Sequence, residues 1–558
     1  WSEFGNQVTT ISKSLLALGV QPDEKISIYG YNSKEWYGTY FGAQVIGSAA
    51  VGVYHTCSPK EVSWIVGNSN SKVVFVGKNP MDNNETEKMP SYRIREVLDE
   101  LPDVEAVIMM PNVDALEHPK IMSWDTFIAK GDQVNDDEVQ NHLDQLKKED
   151  TACLIYTSGT TGNPKGVALT HGNWEFELNS SVEIFNFHQG ERYVSWLPLA
   201  HVFGQMVDLN YWVFRGMHLF VCDNPLLVVD YAKDVKPHFF VGVPRIYEKV
   251  FSNLKAAISG KAILKYGLNL PILGGILKKK LKEAIGFSEA RLMLSGAAPI
   301  NTGILNLFQS LEIPLYEGYG MTENSAGATT NYPGHNKIGT VGKPIPGTEV
   351  KVAKDGEVLI KGGHVMKGYY KNQEATDHTI IDGWLYTGDV GEIDEEGYLK
   401  ITGRKKEIYV SSGGKNIAPL VIEETMKSIP IVSQCFLVGD GKKYCSALIT
   451  LDVSAILRDK LGMDPQKIPK DPIQQLIILK EKGHDLSNFT DSENVYKEVD
   501  ESVQKLNGEF SNPEQVKKFA ILPRDFTIDD GELTPTLKIR RKQISENWAH
   551  VINTMYTD

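Results

Sequence analysis

A chain of 558 residues exceeds what a single hydrophobic core usually organises, so we expect two or more domains. The net charge of −13 excludes nucleic acid as a general partner, and any anionic ligand must be met by a local cluster of cations. The five cysteines lack CxxC or zinc-ligand spacing, which argues against a metal or disulfide framework and favours a reducing, cytoplasmic location.

Short apolar segments alternate with helical segments from the start of the chain. Residues 25–30 and 72–77 are predicted to form strands, with a helix over 35–46 between them. Further strands are predicted at 152–156, 238–243, 290–294 and 314–317. This alternation is typical of an α/β fold built on mostly parallel sheets.

The pattern changes beyond the last of these strands. Short, turn-rich strands at 349–353, 356–361 and 398–402 predict a small β-barrel or sandwich. After Arg404 the pattern becomes α+β, with a long helical insertion around 455–508. The insertion is rich in Lys and Asp, which indicates a solvated helical elaboration.

A loop rich in glycines and hydroxyls follows the strand predicted at 152–156. It reads Leu154-Ile-Tyr-Thr-Ser-Gly-Thr-Thr-Gly-Asn-Pro-Lys-Gly-Val167. Glycines let the backbone approach an oxyanion closely, hydroxyls and N–H groups donate to it, and Lys165 adds charge. Because Pro164 stands where a Walker A loop needs its second glycine, the loop is not of that type. It is interpreted as a phosphate-binding loop, although composition alone would also fit a flexible surface loop.

The segment Tyr316-Glu-Gly-Tyr-Gly-Met-Thr-Glu323 follows the last predicted strand of the α/β region. Tyr319 could stack on a purine, Thr322 could contact a phosphate, and Glu323 could hold Mg²⁺. A strand end followed by a helix-capping Thr and Glu would have a similar sequence.

Three more segments suit a nucleotide. Asp389 ends Gly383-Trp-Leu-Tyr-Thr-Gly-Asp389 and could accept hydrogen bonds from ribose, although an isolated Asp is more often a turn residue. The cation-rich segments are Gly403-Arg-Lys-Lys-Glu407 with Ser411-Ser-Gly-Gly-Lys-Asn416, and Leu533-Thr-Pro-Thr-Leu-Lys-Ile-Arg-Arg541. Either of them alone would be interpreted as a solvated charged face.

Together and in this order, these segments resemble the adenylate-forming superfamily of acyl-CoA synthetases, adenylation domains and luciferases. The loop at 157–166 is its most specific signature, and the resemblance covers essentially the whole chain. Within the superfamily the chain is most similar to bubblegum-type long-chain fatty acid–CoA ligases. That likeness lies in Ile28-Tyr-Gly-Tyr-Asn-Ser-Lys-Glu-Trp36, Ser195-Trp-Leu-Pro-Leu-Ala-His201, Val235-Lys-Pro-His-Phe-Phe-Val-Gly-Val-Pro-Arg-Ile-Tyr247 and Gly531-Glu-Leu-Thr-Pro-Thr-Leu-Lys538. The flanks of Gly318-Tyr-Gly-Met-Thr-Glu323 and Gly413-Gly-Lys-Asn416 are closer to generic long-chain or bacterial members.

The resemblance implies a two-domain α/β architecture. A large N-terminal domain, 1–403, would hold two α/β subdomains and the small β-barrel. A hinge at 404–406, with its pivot at Lys406, would connect it to a smaller, mobile α+β domain at 407–558. That second domain would act as a lid over the nucleotide.

The resemblance also implies an AMP-forming ligase that uses ATP, Mg²⁺ and coenzyme A. A fatty acid and ATP would first give acyl-AMP and pyrophosphate. Lys538 would bridge the carboxylate and the α-phosphate, because two anions that react need a cation between them. Thr157 and Glu323 would lie near Mg²⁺. His201 would contact the carboxylate or the gate of the acyl site, although a buried structural histidine fits equally well.

The nucleotide would be held by the loop, an adenine site, a ribose pair and the hinge. These residues are Thr157, Ser158, Gly159, Thr160, Thr161, Gly162, Lys165, Gly296, Ala297, Ala298, Glu317, Gly318, Tyr319, Gly320, Thr322, Asp389, Arg404 and Lys406. In the second half-reaction, rotation of the lid would remove Lys538 and bring in Gly413 and Gly414, which leave space for the pantetheine arm of coenzyme A.

Two sequence features concern the substrate: one indicates the chain length of the acid, and the other indicates contact with a membrane. Acetate-activating relatives carry a tryptophan at the position matching Gly320, so the glycine predicts an open wall and a longer acid. The apolar segment 263–277, followed by Lys278-Lys-Lys280 and Lys282, would suit peripheral contact with an anionic membrane, although an amphipathic surface helix has the same pattern.

Two other functions remain open from the sequence. A fatty acyl-AMP ligase would load a carrier protein instead of free coenzyme A, but the chain shows no carrier domain. A catalytically silent acyl-nucleotide-binding scaffold would have no use for Lys538. The partners expected for the main interpretation are small molecules, namely fatty acid, ATP and coenzyme A.

Overall fold

The computed structural model describes residues 1–79, 88–114, 116–157, 163–259, 262–268, 270–410, 416–534 and 538–557. The strands up to the middle of the chain are β1 (Lys25–Tyr29), β2 (Ala49–Val53), β3 (Ser71–Val76), β4 (Ala106–Met109), β5 (Ile121–Ser123), β6 (Thr151–Thr157), β7 (Lys165–Thr170), β8 (Arg192–Ser195), β9 (His218–Val221), β10 (Phe239–Gly242), β11 (Leu292–Ser295) and β12 (Leu315–Tyr319). The later strands are β13 (Thr329–Thr330), β14 (Lys343–Pro344), β15 (Glu349–Val352), β16 (Glu357–Lys361), β17 (Gly368–Tyr369), β18 (Ile380–Ile381), β19 (Trp384–Ile393), β20 (Leu399–Arg404), β21 (Tyr409–Val410), β22 (Asn416–Ile417), β23 (Val432–Val438), β24 (Cys445–Leu451) and β25 (Val516–Ile521).

Helices connect most of these strands. They are α1 (Ser2–Ala17), α2 (Lys34–Val45), α3 (Pro59–Ser69), α4 (Pro90–Val97), α5 (Trp124–Lys130), α6 (Asp136–Asp144), α7 (His171–Phe185), α8 (Val202–Gly204), α9 (Trp212–Arg215), α10 (Val228–Val235), α11 (Pro244–Ser259), α12 (Ala262–Gly267), α13 (Leu273–Ala284), α14 (Thr302–Ser310), α15 (Gln373–Thr379), α16 (Pro419–Met426), α17 (Val453–Ala455), α18 (Pro472–Glu481), α19 (Ser487–Thr490), α20 (Glu493–Asn507), α21 (Arg541–Asn547) and α22 (Ala549–Thr554). Two π-helical segments, Gln205–Tyr211 and Ile456–Lys460, extend α8 and α17.

The first sheet has eight strands in the order β17-β7-β6-β2-β1-β3-β4-β5. Its central pairs are parallel, while β7 and β17 are antiparallel at one edge. In β3, Val73 and Phe75 enter one core, and Val74 and Val76 enter the core on the opposite face. Burial on both faces explains the continuous apolar run that predicted this strand.

The second sheet has seven strands in the order β14-β13-β12-β11-β10-β8-β9. The strands from β8 to β12 pair in parallel, and β13 and β14 add antiparallel pairs beside β12. Aromatic side chains of this sheet, including Tyr193 and Phe239, share one large core with Ile26 and Ile28 of the first sheet. The predicted α/β fold is therefore confirmed, and the two sheets meet along this core.

The region predicted as a small β-barrel forms a five-stranded antiparallel sheet. Its order is β15-β16-β19-β18, and β20 pairs with β19. This sheet packs Val358, Ile360 and Leu385 against Ala328, which lies directly before β13. The third sheet therefore contacts the segment that connects β12 and β13 of the second sheet.

The C-terminal part is α+β, as predicted. Its three-stranded sheet has the order β23-β24-β25, and the helical insertion lies between β24 and β25. Helix α20 turns Val495, Val499 and Val503 into the core beneath this sheet. The insertion is therefore packed along one face, and its polar residues occupy the other. Within the described ranges, every helix is too short or too polar to cross a bilayer.

Candidate active site

Strands from two sheets converge on one carboxylate, that of Asp389 in β19. The hydroxyl of Tyr319, at the end of β12, donates to Asp389 Oδ2 at 2.7 Å. Arg404 Nε donates to Asp389 Oδ1 at 3.0 Å, and the two residues are register partners in β19 and β20. Asp389 is buried, and burial followed by the charge of Asp389 raises the pKa of Tyr319 well above its usual range. The structure thus brings together the residues predicted for adenine and ribose.

The predicted metal-binding residue Glu323 is buried in the 3₁₀ turn Thr322–Asn324, directly after β12. Tyr369 on β17 donates its hydroxyl to Glu323 Oε1 at 2.8 Å. The Nζ of Lys165 lies 4.7 Å from the centre of the Tyr369 ring. Because Lys165 pairs with Thr157 across β6 and β7, this aromatic residue connects the phosphate loop to Glu323.

Tyr369 was missed by the sequence analysis. Its local sequence, Lys367-Gly-Tyr-Tyr370, contains no charge or glycine pattern typical of a nucleotide site. Its position depends on the antiparallel pairing of β17 with β7, two strands far apart in sequence. Its role therefore follows from the pairing of Tyr369 with Val167 in the folded chain.

Five of the predicted phosphate-loop residues lie outside the described residues, namely Ser158, Gly159, Thr160, Thr161 and Gly162. The loop ends are described. Thr157 ends β6 half-buried, and Lys165 begins β7 with an exposed side chain. The loop therefore leaves and re-enters the first sheet beside Tyr369 and Glu323. Carboxyl ends of parallel strands are the usual ligand-binding edge of such sheets.

Lys538 reaches this same cluster from the C-terminal part of the chain. The residue is exposed to water, and it lies close enough to Arg404, Asp389 and Glu323 for their charges to act on it. Burial and the charge of Arg404 lower the pKa of Lys538, while Asp389 and Glu323 oppose the shift. The lysine is therefore within electrostatic reach of both carboxylates, as the predicted bridging role requires.

His201 lies half-buried at the start of a helix that begins with α8. Its Nδ1 accepts the backbone N–H of Phe203 at 3.2 Å, so it caps this helix. Burial, followed by the charge of Lys538, lowers the pKa of His201 to about 3, so the imidazole is neutral at pH 7. With Nδ1 used as an acceptor, Nε2 carries the hydrogen and can act as a donor.

The adenine-site segment Gly296-Ala-Ala298 follows β11. Ala297 and Ala298 are exposed, and the ring of Phe203 lies 3.2 Å from where a Cβ on Gly296 would be. Glu317 on β12 is buried and accepts the N–H of Ile300 at 3.3 Å. Burial raises the pKa of Glu317 to about 8, so at neutral pH it adds little negative charge beside a nucleotide.

Gly320 requires a correction to the argument about acyl length. A Cβ on Gly320 would lie 1.9 Å from the carbonyl oxygen of Ala326. The glycine is therefore needed for a close approach of two backbone segments, and the missing side chain does not by itself open a wall.

Two neighbouring residues predicted to bind the nucleotide are also described. Gly318 has more room than Gly320, since a Cβ on Gly318 would lie 3.3 Å from Thr330 Oγ1. Thr322 is buried at the start of the 3₁₀ turn.

Lys406, which was predicted to be the hinge, is exposed in the 3₁₀ turn Lys405–Glu407, directly after β20. Its neighbour Lys405 forms ion pairs with Asp355 at 2.6 Å and Glu357 at 2.8 Å, which anchor the start of the turn to the third sheet. Gly413 and Gly414, predicted for the coenzyme A step, lie outside the described residues.

The chain is also similar to known proteins. Residues 1–370 match the family model described as AMP-binding enzyme. The chain is 34% identical to the long-chain-fatty-acid–CoA ligase FadD15 of Mycobacterium bovis, over 100% of this chain and 92% of the relative. It is 31% identical to the long-chain-fatty-acid–CoA ligase ACSBG2 of Xenopus laevis, over 100% of this chain and 80% of the relative. The adenylation domain of a carboxylate reductase from Mycobacterium chelonae superposes with a TM-score of 0.75 at 18% identity, covering 100% of this chain and 84% of that one.

Proposed function

Because the chain belongs to the AMP-binding enzyme family, we propose that it is an AMP-forming ligase that joins long-chain fatty acids to coenzyme A. The relatives named as long-chain-fatty-acid–CoA ligases, which include the ACSBG or bubblegum type expected from the motifs, support this substrate class. The observation that carries the proposal is the position of Lys538, within electrostatic reach of Glu323, Asp389 and Arg404.

The first half-reaction follows from this arrangement of charges. Asp389 and Arg404 hold the ribose, Tyr319 flanks adenine, and Lys165 with the loop backbone holds the phosphates. Lys538 lies between the acid carboxylate and the α-phosphate, where its charge offsets their repulsion. The carboxylate oxygen attacks the α-phosphorus, the bond to the β-phosphate oxygen breaks, and pyrophosphate departs. Held by Glu323 and Thr157, Mg²⁺ would neutralise charge on the pyrophosphate.

The second half-reaction needs a thiol at the same carbonyl. The sulfur of coenzyme A attacks the acyl carbon, the thiol proton is lost, and AMP leaves with its phosphate oxygen. We propose that residues 407–558 move as a lid about a hinge at 404–406 and withdraw Lys538 for this step. Support comes from the turn at Lys405–Glu407, which separates the third sheet from the C-terminal part.

The direct test measures both half-reactions with fatty acids of several chain lengths. Pyrophosphate release reports the first step, and consumption of free coenzyme A reports the second. The proposal requires thioester formation with free coenzyme A and a preference for long acids. Thioester formation only with a carrier protein would favour the acyl-AMP ligase, and nucleotide binding without pyrophosphate release would favour the silent scaffold.

We also propose peripheral contact with an anionic membrane, the source of such acids. The side chains of Leu270 (52%), Ile272 (86%) and Ile276 (51%) are exposed although they are apolar. The backbone of Ile272 has a φ of +64°, a conformation that a β-branched residue rarely adopts. Lys279 and Lys280, both exposed, follow within α13. Exposed apolar side chains beside lysines are typical of a membrane-surface segment.

Flotation with vesicles tests this contact. We expect recovery with anionic vesicles, and loss of that recovery in the variant Leu270→Ser/Ile272→Ser/Ile276→Ser. A matched control changes Ile473→Ser and Ile477→Ser, which are 66% and 42% exposed on α18. The proposal is contradicted if the triple variant is recovered with the vesicles as well as the native chain is. It is also contradicted if the control variant loses as much recovery as the triple variant, because binding would then depend on exposed apolar residues in general.

A further inference from the structure

One face of helix α3 contacts three parts of the candidate site. Its residues Glu61, Trp64 and Asn68 are spaced by three and four positions, so they lie on the same side of the helix. Glu61 Oε1 accepts from Arg540 Nη2 at 3.2 Å, Trp64 Nε1 donates to the carbonyl oxygen of Pro164 at 2.9 Å, and Asn68 Oδ1 accepts from the hydroxyl of Tyr156 at 2.7 Å.

Each of these three partners is a near neighbour of a site residue. Arg540 lies two positions after Lys538. Pro164 directly precedes Lys165, and Tyr156 directly precedes Thr157. These contacts span 479, 100 and 88 residues of chain, so they join segments that only the folded structure brings together.

We propose that α3 is a positioning helix for the adenylation step, and that Glu61 holds the C-terminal segment with Lys538 at the candidate active site. This inference rests on the proposed function, because it assigns α3 a role in one half-reaction of that function. Trp64 and Asn68 hold the two ends of the phosphate loop on the same helix face. The relative positions of Lys538 and Lys165 are thus set by one rigid element.

Glu61 is itself held in place by the start of its helix. Its Oε2 accepts the N–H of Ser58 at 3.0 Å and the hydroxyl of Ser58 at 2.9 Å, which forms a capping box. Its Oε1 remains for Arg540. One carboxylate therefore fixes the helix start with one oxygen and the Lys538 segment with the other. Because glutamine also serves at this capping position, Glu61→Gln removes the charge and keeps the helix start.

The ion pair is partly exposed, with the Glu61 and Arg540 side chains 25% and 36% accessible. A pair of this kind contributes at most about 1 kcal/mol at low salt, which corresponds to about a fivefold change in an equilibrium. Since Arg540 would move with Lys538 when the lid rotates, the pair favours the adenylation arrangement only. Its loss should therefore act on one half-reaction and fade at high ionic strength.

The test measures the two half-reactions separately in the full-length Glu61→Gln variant. Pyrophosphate release in the absence of coenzyme A should slow by about fivefold at low salt. Thioester formation from supplied acyl-AMP and coenzyme A should be unchanged or faster. The matched control is Lys13→Gln, which removes an ion pair within the N-terminal part, that of Lys13 with Asp136 at 3.0 Å. It should leave the ratio of the two rates unchanged.

A double-substitution cycle separates positioning from a general structural effect. If Glu61 acts through Arg540, then Arg540→Gln alone and the double variant should slow pyrophosphate release as much as Glu61→Gln does. A further variant tests the contact with the phosphate loop. Trp64→Phe keeps an aromatic ring at this position but removes the Nε1–H group that donates to Pro164. It should raise the KM for ATP and change thioester formation little.

Equal slowing of both half-reactions by Glu61→Gln, or additive effects of the two substitutions, would overturn the positioning role. So would the same rate ratio in Lys13→Gln as in Glu61→Gln. A native enzyme without pyrophosphate release would instead refute the proposed function itself. The native chain and the variants therefore report on different claims.

Discussion

Tyr319 and Asp389, which lie on different sheets, are joined by a hydrogen bond of 2.7 Å between the phenolic hydroxyl and Oδ2. The carboxylate is buried, and its other oxygen accepts from Arg404. Both oxygens are thus directed by side chains that would themselves contact a nucleotide. If Tyr319 flanks adenine and Asp389 holds the ribose, as proposed above, this hydrogen bond fixes the two parts of the nucleotide site relative to each other.

Asp389→Asn should weaken use of ATP strongly. The amide keeps the shape of the carboxylate but removes the charge that attracts Arg404 and that ribose hydroxyls would donate to. Hydrogen bonds to charged groups contribute about 1.5–3 kcal/mol, so kcat/KM for ATP should fall by about 10- to 100-fold. The control is Asp394→Asn, which removes the exposed ion pair with Lys337 at 2.7 Å. A similar loss in both variants would contradict a specific role for Asp389.

Lys538→Ala should separate the two half-reactions. Without the cation between two anions, adenylation should fall by at least about 100-fold, as for other preorganised electrostatic groups. Thioester formation from supplied acyl-AMP should be retained, because Lys538 would leave the site for that step. The measurements are pyrophosphate release and coenzyme A consumption. Equal loss in both assays would refute the bridging role.

The pH dependence of adenylation gives a second test of Lys538. Burial and the charge of Arg404 lower the pKa of this lysine below its usual value. The positive form is therefore lost at a lower pH than for an ordinary lysine, and adenylation should decline on the alkaline side accordingly. Lys538→Arg keeps its charge throughout that range, so any activity it retains should lack this decline. The same alkaline limb in both proteins would assign it to another group.

Much of the fold could be predicted from the sequence because local patterns encode it. The apolar run at 72–77 predicts a strand, and the structure shows one in β3, buried on both faces. The candidate residues Asp389, Arg404 and Lys538 were indicated by the family resemblance of their segments. Their convergence could not be predicted from those segments, because it depends on the pairing of β19 with β20 and on where the C-terminal part meets this sheet.

The parts that could not be predicted are contacts between distant segments. Tyr369 reaches Glu323 only through the pairing of β17 with β7. The interpretation of Gly320 as an open wall was wrong for the same reason, since the backbone of Ala326 fills the direction in which its side chain would point. A glycine in a sequence shows that a side chain is missing, but only the fold shows why.

Gly320→Ala should therefore inactivate or unfold the protein, although alanine is small. Its Cβ would lie 1.9 Å from the carbonyl oxygen of Ala326, so one backbone segment must move. Overpacking of this kind costs about 1–3 kcal/mol. Gly275 in α13 is the matched control, since nothing lies within 4 Å of its Cβ position. Gly275→Ala should stabilise by about 0.5–1 kcal/mol. Thermal unfolding measures both, and equal melting temperatures would contradict the close approach.

The C-terminal part should depend on one nearly buried ion pair. Arg541 donates to Glu423 Oε1 at 2.8 Å and to Oε2 at 2.5 Å, and the Glu423 side chain is only 3% exposed. The N–H of Leu437 also donates to Glu423 Oε1 at 2.7 Å. Glu423→Ala would remove the carboxylate that holds both Nη atoms of Arg541 and would leave Glu407, 3.1 Å from its Nε, as an ion-pair partner. The loss should therefore stay below the about 3–5 kcal/mol of a buried pair that is broken completely. Urea unfolding of the C-terminal transition measures this loss. Lys542→Ala, which removes the exposed pair with Glu546 at 3.9 Å, should change it little.

Asp208 should make stability fall as pH rises from about 4 to 7. It is fully buried in the π-helical segment, where it accepts hydrogen bonds from Tyr193 at 2.6 Å and from Ser195. Burial raises the pKa of Asp208 to about 7, whereas the unfolded chain releases this proton near pH 4. Between these values the folded state binds more protons than the unfolded state, so the free energy of unfolding decreases with increasing pH.

Asp208→Asn cannot titrate, and it therefore isolates this contribution. Relative to the native chain, the free energy of unfolding of the variant should rise by about 1–3 kcal/mol between pH 5 and pH 8, as urea unfolding would measure. Tyr193→Phe acts in the opposite sense. Because the Tyr193 hydroxyl stabilises the charged carboxylate and lowers its pKa, removing that hydroxyl should extend the destabilising range to higher pH. The prediction fails if the free energy of unfolding depends on pH in the same way for the native chain and for Asp208→Asn. That result would mean that Asp208 binds the same number of protons in the folded and unfolded states, and such a group does not affect the pH dependence of stability.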